Sequence, residues 1–335
     1  MKSLISMTEN RGARVLVLAA TLLTAIKVII LLGPEASFGK PNLVSRPYYN
    51  LPSDLKKGDF SFAGVRIPLD RHDVASRVEE QLNYLLMDRR AALMDILERL
   101  SVYGPLISST LAEEKLPRDM VYLSAILSEL SPTSRTKSGG LGWWNLGGIK
   151  GNGQSWSSSN EWDDRRDPLI STKLASALLN QIQTKNAKFD WLFSIASFVD
   201  GVDRIETIVK KNPGFSFWDV LAPHYSEAII PRMIALKIIN ENRKAFDMDA
   251  PPANPLKFDV VDKTKLVRDL PLKNLSQWVG ATPRSIWELN PGIDQSFGAL
   301  VKSDRRYPYA TFLRVPKGFG QKVKSLMDAE GYIKN

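Results

Sequence analysis

The chain has 335 residues, more than one hydrophobic core ordinarily serves, and this points to about two domains. Apolar residues make up 44% and charged residues 24%, which excludes a largely disordered chain, a collagen-like chain and a multi-span membrane protein. The net charge of +9 favours polyanionic surroundings, whether nucleic acid, anionic lipid or a carboxylate-bearing cell wall. There is no cysteine, so disulfides, thiolate zinc sites, a Cys nucleophile and a lipid on Cys are excluded. The two histidines, His72 and His224, stand far apart, so neither a metal site nor a cofactor is expected.

Lys2, Arg11 and Arg14 precede an apolar run of 18 residues, Val15 to Leu32, interrupted by two Thr and Lys27. If Lys27 snorkels, the run is long enough to span a bilayer. The basic flank then leaves residues 1–14 in the cytoplasm and exports the rest. A cleaved signal peptide ending near Ala36-Ser37 is the rival reading. Residues 33–60 carry Pro34, Pro41, Pro47 and Pro52 without periodicity and read as an extended periplasmic linker.

From Asp70 the period becomes helical. Val74, Val78 and Leu82 share one face. Further helices are predicted at Ala91–Val102, Pro105–Glu114 and Pro117–Leu130, followed by a Gly/Ser/Trp/Asn loop to Asn160. Asp167-Pro168 supplies an N-cap and first-turn proline for a helix with Ile170, Leu174, Leu178 and Ile182 on one face. Trp191–Phe198, Arg204–Lys210 and Ser226–Asn242 read as helices. After the proline break at 251–255 comes a β-α-α-β order: strand Phe258–Val261, helices Leu272–Val279 and Pro283–Leu289, and strand Thr311–Val315. A tail helix over Phe319–Glu330 closes the chain.

Leu116-Pro117, Tyr122-Leu123, Ile126, Ser128 and Pro132 come in order, followed by Gly139, Gly142, Trp144 and Leu146, by Trp162 to Pro168, by Gly201 to Ile205 and by Ile230-Pro231-Arg232. In this order, from about Val65 to Asn242, the chain resembles the lytic transglycosylase family, with its lysozyme-like domain, and within it the membrane-bound lytic transglycosylase D type. The first set matches one helix of that domain, and the others fit its "GxxGLWQL" loop, its "YDxRRDP" segment, the run around "AYNxGxGRV" and "YVPK". Residues 255–318 resemble, more weakly, a degenerate LysM module through Trp287 to Gly292 and Leu313 to Pro316. The usual Gly-Asp-Thr turn is replaced by Asp262-Lys263-Thr264, so this unit is expected to contact the helical domain more than it binds free glycan.

The resemblance implies cleavage of the β-1,4 bond of peptidoglycan by one Glu. It acts as acid and then base, while the sugar's own hydroxyl closes a 1,6-anhydro ring. That Glu stands immediately before Ser in the family, and here the position is Leu127, which has no proton to give. Glu129 is the fallback acid, although two residues along a helix is a rotation of about 200°. Asn145 replaces the Gln of "LWQ", Phe198 and Val199 replace the Tyr and Asn of "AYN", and Ile229 replaces the Tyr of "YVP". The expected groove is therefore Leu127, Ser128, Trp143, Trp144, Asn145, Phe198, Val199 and Ile229, with no catalytic residue. Trp143-Trp144 is the best pair for stacking sugars, with Trp156 and Trp162 as further candidates and plain packing as the rival. Asp163, Asp164 and Asp167 read either as a replacement acid or as a paired loop and helix cap. The Lys210-Lys211 and Lys302–Arg306 clusters read as solvated faces.

The expectation is thus a mainly α, lysozyme-like transglycosylase domain over 61–247. It follows a transmembrane anchor at 15–32 and precedes a small α+β LysM-like unit at 255–318 and a tail at 319–335. The leading functional expectation is a pseudoenzyme in the bacterial inner membrane, single-pass, with its main domain in the periplasm. It would bind peptidoglycan glycan strands or serve as a scaffold in a cell-envelope complex, such as a motor, secretion or division apparatus. The alternatives are an active lytic transglycosylase using Glu129 or an Asp, and a regulator whose groove holds a protein. Nucleic acid is not an expected partner.

Overall fold

Tyr49 donates its amide to Asn83 Oδ1 at 2.8 Å, and Leu51 donates to Glu79 Oε1 at 3.0 Å. Folded structure therefore begins some ten residues before the end of the linker expected at 33–60, which is corrected accordingly. Leu51 is buried and a short helix α1 follows at Ser53–Lys57. A hydrophobic anchor and two backbone bonds outweigh the local proline bias there. The computed structural model describes residues 48–147, 156, 158, 162–187, 189–220, 225–248, 254–263, 266–293, 300–301 and 312–333. The chain divides into two units, 1–48 and 49–335. The anchor expected at 15–32, His224 and Lys302–Arg306 lie outside the described residues. Among the described residues no helix is long and apolar enough to cross a membrane.

A two-residue hairpin, β1 (Ser61–Phe62) with β2 (Val65–Arg66), leads into α2 (His72–Asn83) and a π-turn at Tyr84–Asp88. His72 is exposed at the start of α2. The helices expected at 91–102 and 105–114 are one, α3 (Arg90–Glu113), with Pro105 inside it. An interior proline costs about 3 kcal/mol. Leu93, Ile96, Leu97 and Leu100 before it and Ile107 and Leu111 after it are all buried, and their shared core holds the helix together across the break.

Then come α4 (Val121–Ser128), α5 (Pro168–Lys185), α6 (Trp191–Asp200), α7 (Val202–Lys211), α8 (Phe217–Val220) and α9 (Tyr225–Glu241). Ile229, Ile230, Met233, Ile234, Ala235, Leu236, Ile238 and Ile239 of α9 are buried. A helix with so much buried apolar surface has to sit largely inside, and α9 packs against α2, α4 and α6. Asp167 caps α5, accepting from the amides of Leu169 and Ile170 at 3.0 and 3.1 Å.

In the C-terminal part, β3 (Phe258–Asp262) pairs antiparallel with β6 (Phe312–Pro316), Phe258 opposite Pro316. Between them lie β4 (Leu270–Pro271), α10 (Leu272–Val279), α11 (Pro283–Leu289) and β5 (Leu300–Val301), with β4 paired to β5. Helix α12 (Gly320–Ala329) ends it.

This part shares a buried polar seam with the helical body. The Arg314 guanidinium donates to both oxygens of Asp167 at 2.6 and 2.9 Å, and each side chain is only 1% exposed. Arg314 also donates to Leu289 O at 3.0 Å and lies over the rings of Phe258 and Phe312. Asn290 holds the Arg314 backbone from both sides, accepting from its amide and donating to its carbonyl. Nearby, Asp163 donates its amide to Gly292 O at 2.9 Å. A Cβ on Gly292 would stand 2.7 Å from the Trp162 ring, so the glycine lets the indole seat.

Candidate functional site

Helix α4 ends on two consecutive left-handed residues, Glu129 at φ 54° and Leu130 at φ 51°. Such conformations cost about 1–3 kcal/mol each in a non-glycine residue. Here Arg99 donates to Glu129 O at 2.8 Å, and Arg89 meets Glu129 Oε1 at 2.6 Å. The turn carries the Glu129 carboxylate toward Arg89, and Glu129 is not among the residues lining the cleft described below.

The Gly142–Leu146 loop is bolted to α4. Ser124 Oγ donates to Trp143 O at 2.7 Å, and Ser128 Oγ lies 2.6 Å from the same carbonyl. Gly142 is at φ +77°, and a Cβ on it would stand 1.9 Å from Arg165 O. Gly142→Ala should therefore cost about 3 kcal/mol or more, because backbone meets backbone and φ is wrong for alanine. Urea unfolding measures this. A loss under about 1 kcal/mol would mean that the loop relaxes freely.

Beside this loop lies a cleft of about 600 Å³. Of the eight groove residues expected from sequence, Leu127, Trp144, Asn145, Phe198 and Val199 line it. Ser128, Trp143 and Ile229 do not; they are 2%, 0% and 2% exposed and face the core. Trp143 packs edge-on to Tyr103 and donates its indole N–H to Arg166 O. Trp144 is 1% exposed and donates to Thr172 Oγ1, so it backs the wall without offering a face. The sugar-stacking expectation for the Trp143-Trp144 pair is corrected: both rings are packing. Trp162 is buried against Gly292 and donates to Asp164, and Trp156 lies under Arg165.

Of the two readings of the aspartates, the geometry fits the paired loop and helix cap. Asp163 is paired with Arg165 at 2.8 Å, Asp164 is fully buried, Asp167 is held by Arg314, and none lines the cleft. Sequence reasoning missed Leu178 and Ile182 of α5, Ser197 and Asp200 of α6, and Asp203 of α7, all on the cleft. The alternation of Leu174, Leu178 and Ile182 read as core face only. That two of them reach an opening depends on where α6 turns at Gly201. In two of the lining residues a polar atom is itself buried, without a hydrogen-bond partner among the described residues: Asn145 Oδ1 and Ser197 Oγ. The Asn145 amide nitrogen donates to Leu127 O. Among the described residues no group of three His, Asp or Glu side chains is placed to hold a metal ion.

A mostly helical body with a cleft beside the last turn of α4 fits a lysozyme-like transglycosylase domain. No family model matches the chain. It is similar to the protein named membrane-bound lytic murein transglycosylase D from Escherichia coli K12 and to the protein of the same name from the O6:H1 strain. Each match is 24% identical over 226 residues, covering 66% of this chain and 49% of the relative. The chain spans about half the length of the curated relatives it matches. It is thus a distant homologue of these proteins and lytic-transglycosylase-like.

Proposed function

We propose that this chain is a transglycosylase-like protein without the bond-cutting step, a peptidoglycan-binding or scaffolding component of a cell-envelope complex. In this reading residues 15–32 anchor it in the inner membrane and the helical body works in the periplasm. One observation carries the reading: the cleft presents Leu127 where the family resemblance expects the acid, while Glu129 is engaged by Arg89. An isobutyl group can neither protonate a leaving oxygen nor take a proton in the second step.

A second reading has its own support. Asp200 and Asp203 line the cleft at the α6–α7 corner, so an enzyme working from that wall has carboxylates to use. Incubating the full-length chain in detergent with purified sacculi separates the two. The proposal expects no anhydro-muropeptides. Release abolished by Asp200→Asn, Asp203→Asn or Glu129→Gln would establish the enzyme instead.

Leu127→Glu alone should also fail to release product. The new carboxyl would stand beside Phe198 and Val199, where desolvation raises its pKa and opposes the ionised base of the second step. The sugar would lack the family's amide and Tyr contacts, and about 1 Å of misplacement costs roughly 100-fold. Turnover is expected only when Asn145→Gln, Phe198→Tyr and Val199→Asn are added. Strong activity from the single variant would show that the other changes are tolerated drift.

A further inference from the structure

We propose that the cleft holds a short peptide segment bearing apolar side chains and a cation. This rests on the non-catalytic reading above and names the partner chemistry of the same site. The described floor is mainly hydrocarbon: Leu127, Leu178, Ile182, Phe198 and Val199. No indole face is open to it among the described residues, since Trp144 is 1% exposed. A neutral glycan is held largely by stacking on open aromatic faces, and no indole supplies one here among the described residues.

Charge supplies the rest of the specification. Among the described residues the only charged groups lining the cleft are Asp200 and Asp203, and Lys137, between Thr136 and Ser138 on another part of the rim, is not part of the lining. Asp203 is exposed and forms no ion pair among the described residues. An acidic edge beside an apolar floor selects a lysine or arginine next to aliphatic side chains. The volume, about 600 Å³, is within the usual range for small-ligand sites.

The probes are fluorescein-labelled acetyl-Leu-Lys-Leu-Lys-amide, the same peptide with Glu for Lys, and unlabelled chitotetraose as competitor. Anisotropy is read on the full-length chain in a neutral detergent. The Lys peptide should bind at least about 10-fold tighter than the Glu peptide at low salt, and the gap should shrink at high salt. Asp203→Asn should weaken the Lys peptide by about 2- to 5-fold, the range of an exposed ion pair. Val199→Lys, a cation set into the half-buried wall, should abolish binding with the circular dichroism unchanged. Equal binding of the two peptides, binding unaffected by both variants, displacement by chitotetraose, or no binding at all would each overturn the inference. Failure with sacculi still uncut removes only this inference. Release of anhydro-muropeptides removes the reading beneath it.

Discussion

Arg314→Met should destabilise the folded chain by about 3–5 kcal/mol. The side chain it removes makes, among the described residues, the one direct ion pair of a carboxylate that is 1% exposed. Breaking a buried pair from one side leaves an uncompensated charge, which costs more than the pair itself contributed. The cost should reach both halves of the molecule. Asp167 is the N-cap of α5 in the helical body, and Arg314 lies on β6 of the C-terminal part. Adding Asp167→Asn, which keeps the cap acceptor and drops the charge, should recover a large share of the loss. A double-mutant cycle in urea isolates that coupling. Wild type should unfold in one transition over both halves, and Arg314→Met should split it, the C-terminal part melting first. A loss below about 1 kcal/mol with one transition kept would show the seam to be hydrated and dispensable.

Stability should rise with pH between about pH 8 and pH 10, and Lys263 should be responsible. Its ammonium lies 5.0 Å from the centre of the Trp162 ring, and the residue is 7% exposed. Burial pushes its pKa down from 10.5 to about 8, although Asp164 and Asp167 pull the other way. An unfolded chain keeps that proton up to its ordinary pKa, whereas the folded chain has released it above about 8. Across this window the unfolded state binds more protons, so the folded state gains as pH rises. The gain has a ceiling of about 3 kcal/mol, reached above the unfolded pKa. Below pH 8 both states are protonated and the folded state carries the full desolvation cost. Lys263→Met should remove this rise. The difference between wild-type and variant stability curves isolates Lys263 from the buried tyrosines, Tyr103 and Tyr122, whose pKa values burial raises. A flat difference curve from pH 7 to pH 10 would refute the assignment.

Much of the helical body is legible in the residues alone. Asp167-Pro168 is a start signal whose physics is local: a carboxylate for orphan amides and a ring with the right φ. The helix begins at Pro168. Leu272–Val279 and Pro283–Leu289 are likewise bounded by their own turn residues and caps. The resemblance quoted from Leu116 to Arg232 expects eight residues at one groove from motif order; Leu127, Trp144, Asn145, Phe198 and Val199 line one cleft, while Ser128, Trp143 and Ile229 do not.

Other features depend on what a residue meets far along the chain. Pro105 reads as a break, and only the shared burial of Leu100 and Ile107 makes α3 continuous. Trp143 reads as a sugar platform until Tyr103 packs against the ring, the Arg166 carbonyl claims its N–H and no part of it stays exposed. Ile229 reads as groove lining, yet it is 2% exposed and faces the core from α9. Arg314 reads as one more basic residue in a basic chain, and nothing near it in sequence says that it is buried. The sequence by itself determined the start of α5 at Asp167-Pro168 and the turns and caps that bound α10 and α11. Those follow from residue type and spacing within one or two turns. Tertiary structure decided which aromatic rings are packing, that Glu129 leaves the cleft for Arg89, and that a carboxylate and a guanidinium 147 residues apart meet inside the protein. Desolvation and partner choice depend on everything packed around a group, and residue spacing does not record them.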